Sequence, residues 1–225
     1  MIGKIGITKR AHISRRKFDT ILDCFAADIP ASKCAEIAHI NRKTADRYFN
    51  LYRKEIIKAS LEERHLIGLK NGIEVDESYF GPTRVRGERG RGASSKIIVF
   101  GLLKRKGNVY TEVVNSAARK ELMPIIRKVV RSGSDVYTDG WRSYDALAVY
   151  GYNHKKVRHT EDEFVASDGS HINGIESFWS WTKRRLSQFN GIKKGYFKEY
   201  LLESEWRFNH RQNLRQDLKN LLRKF

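Results

Sequence analysis

Cysteine is nearly absent: Cys24 and Cys34 are the only two in 225 residues. Their spacing fits neither paired zinc ligands nor a disulfide framework, so both read as reduced thiols within helices. No apolar stretch approaches the length of a membrane span, and the N-terminus has no signal-peptide-like apolar region. No internal repeat or low-complexity tract is present. These absences exclude a disulfide-stapled secreted scaffold, a membrane protein and a solenoid, and the cytoplasm is the expected place of work. Hydrophobic content of 40% with 11% aromatics is globular, which excludes wholesale disorder.

Acidic charge is also scarce relative to basic. Lys and Arg number 44 against 26 Asp and Glu, a formal charge of +18. Such an excess favours a polyanionic partner. It is unevenly placed: residues 1–70 carry +7, residues 183–225 carry +8, and residues 71–182 only +3. The basic flanks suit nucleic acid, while the middle keeps the carboxylates that a metal site needs. A soluble protein with Lys-rich helical faces has the same composition.

Residues 14–58 read as three helices. Ser14 is placed to cap a helix with Phe18, Ile21, Leu22 and Phe25 on one face. Ser32 is placed to cap a short second helix. Asn41 is placed to cap a third, Arg42 to Lys58, with Ala45, Tyr48, Phe49, Tyr52 and Ile56 on its apolar side. A short helix, a tight turn and a longer helix with a basic start resemble a helix-turn-helix. Arg42, Lys43 and Arg47 then lie where side chains reach groove edges and phosphates; a plain three-helix bundle with solvated charges fits the same pattern.

The period changes after residues 59–71, which read as a connecting helix or linker. Residues 72–80, 96–104 and 108–114 read as strands, with Lys106-Gly-Asn as the turn between the last two. Arg119–Val130 has helical spacing interrupted by Pro124, so the helix begins or kinks there. Asp135–Thr138 reads as a strand, Trp141–Val149 as a helix, Asn153–Val157 as a strand, and the chain from Ser170 onward as helices. That element order is the order of an RNase H-like α/β domain. The expected organisation is a helix-turn-helix domain over residues 1–60, a linker over 61–72, and a catalytic domain of mixed sheet and flanking helices over 73–225.

Three acids stand out in this frame. Asp76 sits inside the apolar run Ile73–Phe80, where an unpaired charge is costly to bury. Asp139 ends the run Asp135-Val-Tyr-Thr-Asp, although Asp-Gly is also an ordinary turn pair. Glu176 opens a helical stretch, where alone it reads as a surface residue. Carboxylates at two strand ends and a helix start can converge on divalent metal. Phosphodiester cleavage by two ions about 3.5–4 Å apart needs such oxygen ligands, and Mg²⁺ prefers them. Lys183 follows Glu176 by two helical turns on the same face, where an ammonium can hold a phosphate. His171 and Asn173 precede Glu176 and suit either a helix cap or a DNA contact. Phe178, Trp179 and Trp181 read as core. The stretch Arg84–Gly92, with Arg84, Arg86, Arg89 and Arg91, either closes on DNA phosphates or is a solvated hairpin. Arg184, Arg185, Lys193 and Lys194 offer a further basic surface.

The stretches Val75-Asp-Glu-Ser-Tyr-Phe-Gly, Arg89-Gly-Arg-Gly-Ala, Val99-Phe-Gly-Leu-Leu, Tyr137-Thr-Asp-Gly-Trp with Tyr144, and His171 through Arg184 resemble DDE transposases of bacterial insertion sequences. The resemblance is to the Merlin-related group with ISXO2-like transposase domains. It implies that Asp76, Asp139 and Glu176 bind two Mg²⁺ or Mn²⁺ ions and that Lys183 is the basic residue following the third acid. It also implies recognition of terminal inverted repeats, cleavage to a 3′-OH, strand transfer into target DNA, and a homo-oligomer acting on double-stranded DNA in the bacterial cytoplasm. Rival readings are an RNase H or resolvase-like nuclease that cuts without joining, and a helix-turn-helix regulator.

Overall fold

The computed structural model describes residues 13–64, 68–81, 96–139, 142–157, 172–189 and 191–223. In chain order the elements are α1 (Arg15–Ala26), α2 (Ala31–Ile37), α3 (Arg42–Arg64), β1 (Ile73–Phe80), β2 (Ile97–Lys104) and β3 (Val109–Val114). They continue with α4 (Arg119–Val129), β4 (Asp135–Thr138), β5 (Asn153–Lys156), α5 (Asn173–Ser187), α6 (Phe197–Asn209) and α7 (Leu214–Arg223). The chain divides into two compact units, Met1–His65 with His210–Phe225, and Leu66–Asn209.

The first unit is helical. The Ser14 hydroxyl accepts from the Lys17 N–H at 3.4 Å and opens α1. The Asn41 side chain accepts from the Lys43 N–H at 2.8 Å and opens α3. Ser32 does not cap α2: the helix starts one residue earlier, with Pro30 at the cap and no side-chain hydrogen bond there. Proline's fixed φ suits that position. The α2–α3 turn takes His39 through φ 50°. Phe25 packs edge-on against Phe49 and Tyr52, with centroids 5.0 and 5.3 Å away, which ties α1 to α3.

Two boundaries differ from the sequence reading. Helix α3 runs without a break through Arg64, so residues 59–64 are the connecting helix and the boundary expected after residue 60 falls later. Helix α7, expected with the 73–225 domain, belongs to the first unit and packs on α1 and α3. It buries Leu218 and Leu222. The His210 ring bridges Asp217 at 2.9 Å and Glu63 at 3.3 Å, and Arg215 pairs with Asp23.

The second unit is a five-stranded mixed sheet in the order β3-β2-β1-β4-β5, with β1–β2 and β2–β3 antiparallel and β1–β4 and β4–β5 parallel. Helices cover both faces, and the architecture is RNase H-like. Period-2 alternation sorts the strand residues between the faces. Ile73, Val75, Phe100, Leu102 and Val136 join Leu122, Ile126 and Val129 of α4 in one core. Phe80, Val99, Leu103 and Val109 join Ile175, Phe178 and Trp179 of α5, with Leu201 of α6, in the other.

Helix α4 passes through Pro124 instead of starting there. That residue lies on the exposed side, so the helical bond it removes frees a carbonyl that water can reach. The expected helix Trp141–Val149 is absent among its described residues; two short 3₁₀ turns, Arg142–Tyr144 and Ala148–Tyr150, take its place. Tyr144 and Leu147, both fully buried, are three residues apart, and the Leu147 N–H bonds the Tyr144 carbonyl at 3.0 Å. Burial at that spacing fits three residues per turn. No helix among the described residues is long and apolar enough to cross a membrane.

Candidate active site

Strand parity brings the three acids to one face. Glu74, Asp76, Ser78 and Phe80 alternate with the core residues Ile73 and Val75, so they face α5. On β4 Val136 joins the α4-side core while Tyr137 packs on the α5 side, which puts Asp139 on that side too. The parallel register pairs Ile73 with Val136 and Glu74 with Tyr137. Carried forward by two residues, it sets Asp76 beside Asp139 on neighbouring strands. Glu176 lies in the first turn of α5, the helix over this face.

Close approach of α5 to the sheet rests on glycine. Gly101 of β2 is the cross-strand partner of Asp76. A Cβ there would stand 2.4 Å from Trp179 Cζ2 and 3.1 Å from Ile175 Cδ1, so only the missing side chain lets the indole lie on the strand beside Asp76. Gly174 makes the reciprocal fit, since a Cβ on it would meet Glu74 Oε2 and Leu103 Cδ2 at 2.7 Å.

The start of α5 is capped from the sheet. His171 lies outside the described residues; Asn173 is the first residue of the helix, and the residue at the cap, Ile172, makes no side-chain hydrogen bond. Instead Glu74, almost wholly buried, accepts the Ile175 N–H on Oε2 at 2.9 Å. Its Oε1 accepts from Arg105 Nε at 3.2 Å, and the Arg105 guanidinium lies over the Tyr137 ring at 3.6 Å. A carboxylate at a helix N-terminus is stabilised by the orphan N–H groups and the helix dipole.

The electrostatics register the convergence. The Asp76 carboxyl is pushed up to about 6, first by burial and then by the negative charges of Asp139 and Glu176. The Glu77 backbone N–H and the Trp179 indole oppose the rise. The indole N–H still meets no acceptor at hydrogen-bond geometry, so its help is weak and burial dominates. Glu77 points to the opposite face, where it accepts a 2.5 Å hydrogen bond from the Tyr144 hydroxyl. Its carboxyl is pushed up to about 7 by burial, against that hydrogen bond.

Among the described residues no three His, Cys, Asp or Glu side chains already stand at ligand spacing. Asp139 and Glu176 are close enough to Asp76 for their charges to raise its carboxyl, without the three being closed into a coordination shell. An all-oxygen, like-charged donor set that raises the pKa of its own most buried member fits a hard divalent cation.

The basic residues divide. Lys183 is exposed on α5, its Nζ 5.6 Å from the Phe80 ring centroid and so on the face that holds Asp76. Arg184, Lys193 and Lys194 are exposed, as are Arg42, Lys43 and Arg47 in the first unit. Arg185 is not a DNA-facing group. It is buried, its guanidinium bonded to Glu203 at 2.5 Å and to the Ser204 hydroxyl at 2.9 Å on α6. Arg84, Arg86, Arg89 and Arg91 lie outside the described residues.

Comparison with known proteins decides the family. The ISXO2-like transposase domain matches residues 68–209, well over half of the chain. The chain belongs to the ISXO2-like transposase domain family. An uncharacterized transposase-like protein of Haemophilus influenzae is 47% identical over 105 residues, which cover 47% of this chain and 84% of that protein. An uncharacterized protein in transposable element ISH50 of Halobacterium salinarum is 32% identical over 149 residues, covering 59% of this chain and 50% of that protein. A solved Mos1 transposase paired-end complex with left transposon end is similar at 13% identity and a TM-score of 0.30, covering 96% of this chain and 81% of its own. An overlap that low carries no argument, and the fold assignment rests on the sheet order itself.

For this transposase-family chain, reading the residues missed Glu74, Arg105 and Glu77. Glu74 had one available signal, a second charge in the same apolar strand at the same parity as Asp76.

Proposed function

We propose that this transposase binds the terminal inverted repeats of its element, cleaves at the element end to free a 3′-OH, and transfers that strand into target DNA. The observation in support is the meeting of Asp76, Asp139 and Glu176 on one sheet face, close enough for the latter two to raise the Asp76 carboxyl. Two Mg²⁺ or Mn²⁺ ions held by these acids would supply charge neutralisation at the leaving oxygen and an activated nucleophile.

The chain's own residues do the rest. Asp76 would ligate as the carboxylate, so cation and proton compete for it. Trp179, seated over Gly101, walls off the buried side of the carboxylates from water. Lys183 offers a point charge to a substrate phosphate at the rim of the same face. Arg184, Lys193 and Lys194 track the backbone. Arg42, Lys43 and Arg47 at the start of α3 meet a DNA groove in helix-turn-helix fashion, and two copies hold two ends. Water attacks the phosphodiester at the end, and the 3′-OH so freed attacks the target strand in the same pocket.

The test is incubation of the full chain with duplexes bearing the flanking repeats, a target plasmid and Mg²⁺, followed by sequencing of products. Joined products with a short target duplication are expected. Cut but unjoined ends would point to a nuclease. Asp76→Asn and Asp139→Asn are expected to bind ends and yield no joined product; full activity in either refutes the site.

A further inference from the structure

Just before each acid sits one residue that touches none of the proposed chemistry. Glu74 precedes Asp76 by two on β1, and Tyr137 precedes Asp139 by two on β4. The Ile175 N–H belongs to the residue before Glu176 on α5. Glu74 and Tyr137 are paired across the parallel strands, and Arg105, at the end of β2, bonds the one and covers the other. Arg105 is itself fixed by its backbone N–H, which donates to the Gly72 carbonyl at 3.0 Å.

We propose that Glu74, Arg105 and Tyr137 form a brace one pleat below the carboxylates, which sets Glu176 of α5 against Asp76 and Asp139. The proposal rests on the reading of those acids as cation ligands. These are positioning residues: they act on the acids through the backbones that carry them. Helix α5 could otherwise slide along the apolar face, since hydrophobic packing through Phe178 and Trp179 is non-directional. The hydrogen bond from Ile175 to a buried carboxylate on β1 fixes both the height and the rotation of the turn that holds Glu176. A buried carboxylate is tolerated there because a guanidinium and a helix N-terminus share its charge. The guanidinium in turn is held flat by the Tyr137 ring, so β4 enters the same lock.

The brace is tested by Mn²⁺ binding to the full-length protein, read by titration calorimetry beside thermal melting. Outlying partners of metal ligands set affinity by about 10–100-fold. Glu74→Ala and Arg105→Ala are expected to weaken Mn²⁺ binding at least about tenfold in a folded protein. Glu74→Gln keeps an acceptor for the Ile175 N–H but turns its NH2 on Arg105, and is expected to weaken Mn²⁺ binding less than Glu74→Ala does. Leu122→Ala, a cavity on the opposite sheet face, lowers melting temperature and is expected to leave Mn²⁺ affinity unchanged. Should Glu74→Ala not fold, Arg105→Ala, on a partly exposed side chain, carries the test alone. Parental affinity in Glu74→Ala and Arg105→Ala, with binding lost in Asp76→Asn, overturns the brace and leaves the acid site standing. Equal loss in Leu122→Ala overturns it as well, because affinity would then follow stability. Absence of Mn²⁺ binding by the parent protein, or parental binding by Asp76→Asn, overturns the acid site and the brace with it.

Discussion

Replacing Gly101 by alanine should damage the site without touching any acid. The added methyl would stand 2.4 Å from Trp179 Cζ2 and 2.8 Å from Cη2. Carbon atoms rest at about 3.5–4.0 Å, so the indole must retreat by on the order of 1 Å. Trp179 is buried and flanked by Phe80 and Phe178, with ring centroids 6.0 and 5.0 Å away. The strain therefore passes to the backbone of α5, which carries Glu176. Overpacking of this kind costs about 1–3 kcal/mol, and a misplacement near 1 Å in a catalytic constellation costs on the order of a hundredfold in rate. Thermal melting should fall by about 2–8 °C for a unit of this size. Strand transfer from pre-cleaved ends should drop by on the order of a hundredfold while end binding by gel shift stays intact. A Gly101→Ala protein with parental strand transfer would refute the claim that the glycine sets the height of α5 over Asp76.

Further outcomes follow from the charges. In cation-free buffer, stability should fall as pH rises from about 4 to about 7, because Asp76 and Glu77 have raised carboxyl pKa values of about 6 and about 7. The folded state holds more protons than the unfolded state in that window, so melting temperature should decline across it. A flat melting profile in that range would contradict the burial of both groups. Asp76→Asn should raise the cation-free melting temperature at pH 7, by up to about 3 kcal/mol of stability, while removing strand transfer. Arg185→Ala should destabilise the fold in urea unfolding by less than the ~3–5 kcal/mol of a fully orphaned buried charge, because Arg207 still pairs with Glu203, and should leave the salt slope of DNA binding unchanged. Arg42→Ala or Arg47→Ala should weaken end binding and reduce that slope by about 1 for each phosphate left without its cation, as measured by gel shift across a salt series.

Much of the fold was legible because the pattern was local. Ser14 and Asn41 cap where a hydroxyl or amide precedes an apolar helical face, and the three antiparallel strands declare themselves through alternation and a Lys-Gly-Asn turn. The acids Asp76 and Asp139 were visible as charges set in apolar runs. What escaped depends on distant partners. In Glu74-Val-Asp-Glu-Ser three acids crowd one strand; strand parity sorts them between the faces, but only the tertiary partners show that Glu74 caps α5 while Glu77 meets Tyr144. Arg185 looked like surface because Glu203, its partner, lies 18 residues on in a different helix. The 142–150 segment has apolar residues at three-residue spacing, which a helical reading absorbs too readily, and the union of α7 with α1 and α3 has no local signal at all.

The distribution of acids across the sheet also argues against an ordinary structural role for the site. A fold selected for stability alone gains nothing from a carboxyl raised to about 6 by burial and by two like charges. Contrast Glu74, one residue pair down the same strand and more deeply buried: its charge meets a guanidinium and a helix N-terminus. Contrast also Glu203, flanked by Arg185 and Arg207 at 2.5 and 2.9 Å. At these two places the unit meets a buried acid with cationic side chains, whereas the Asp76 carboxyl is raised by burial and by the charges of Asp139 and Glu176. Asp76→Asn tests whether that raised carboxyl serves a cation: it should raise cation-free stability while it removes strand transfer.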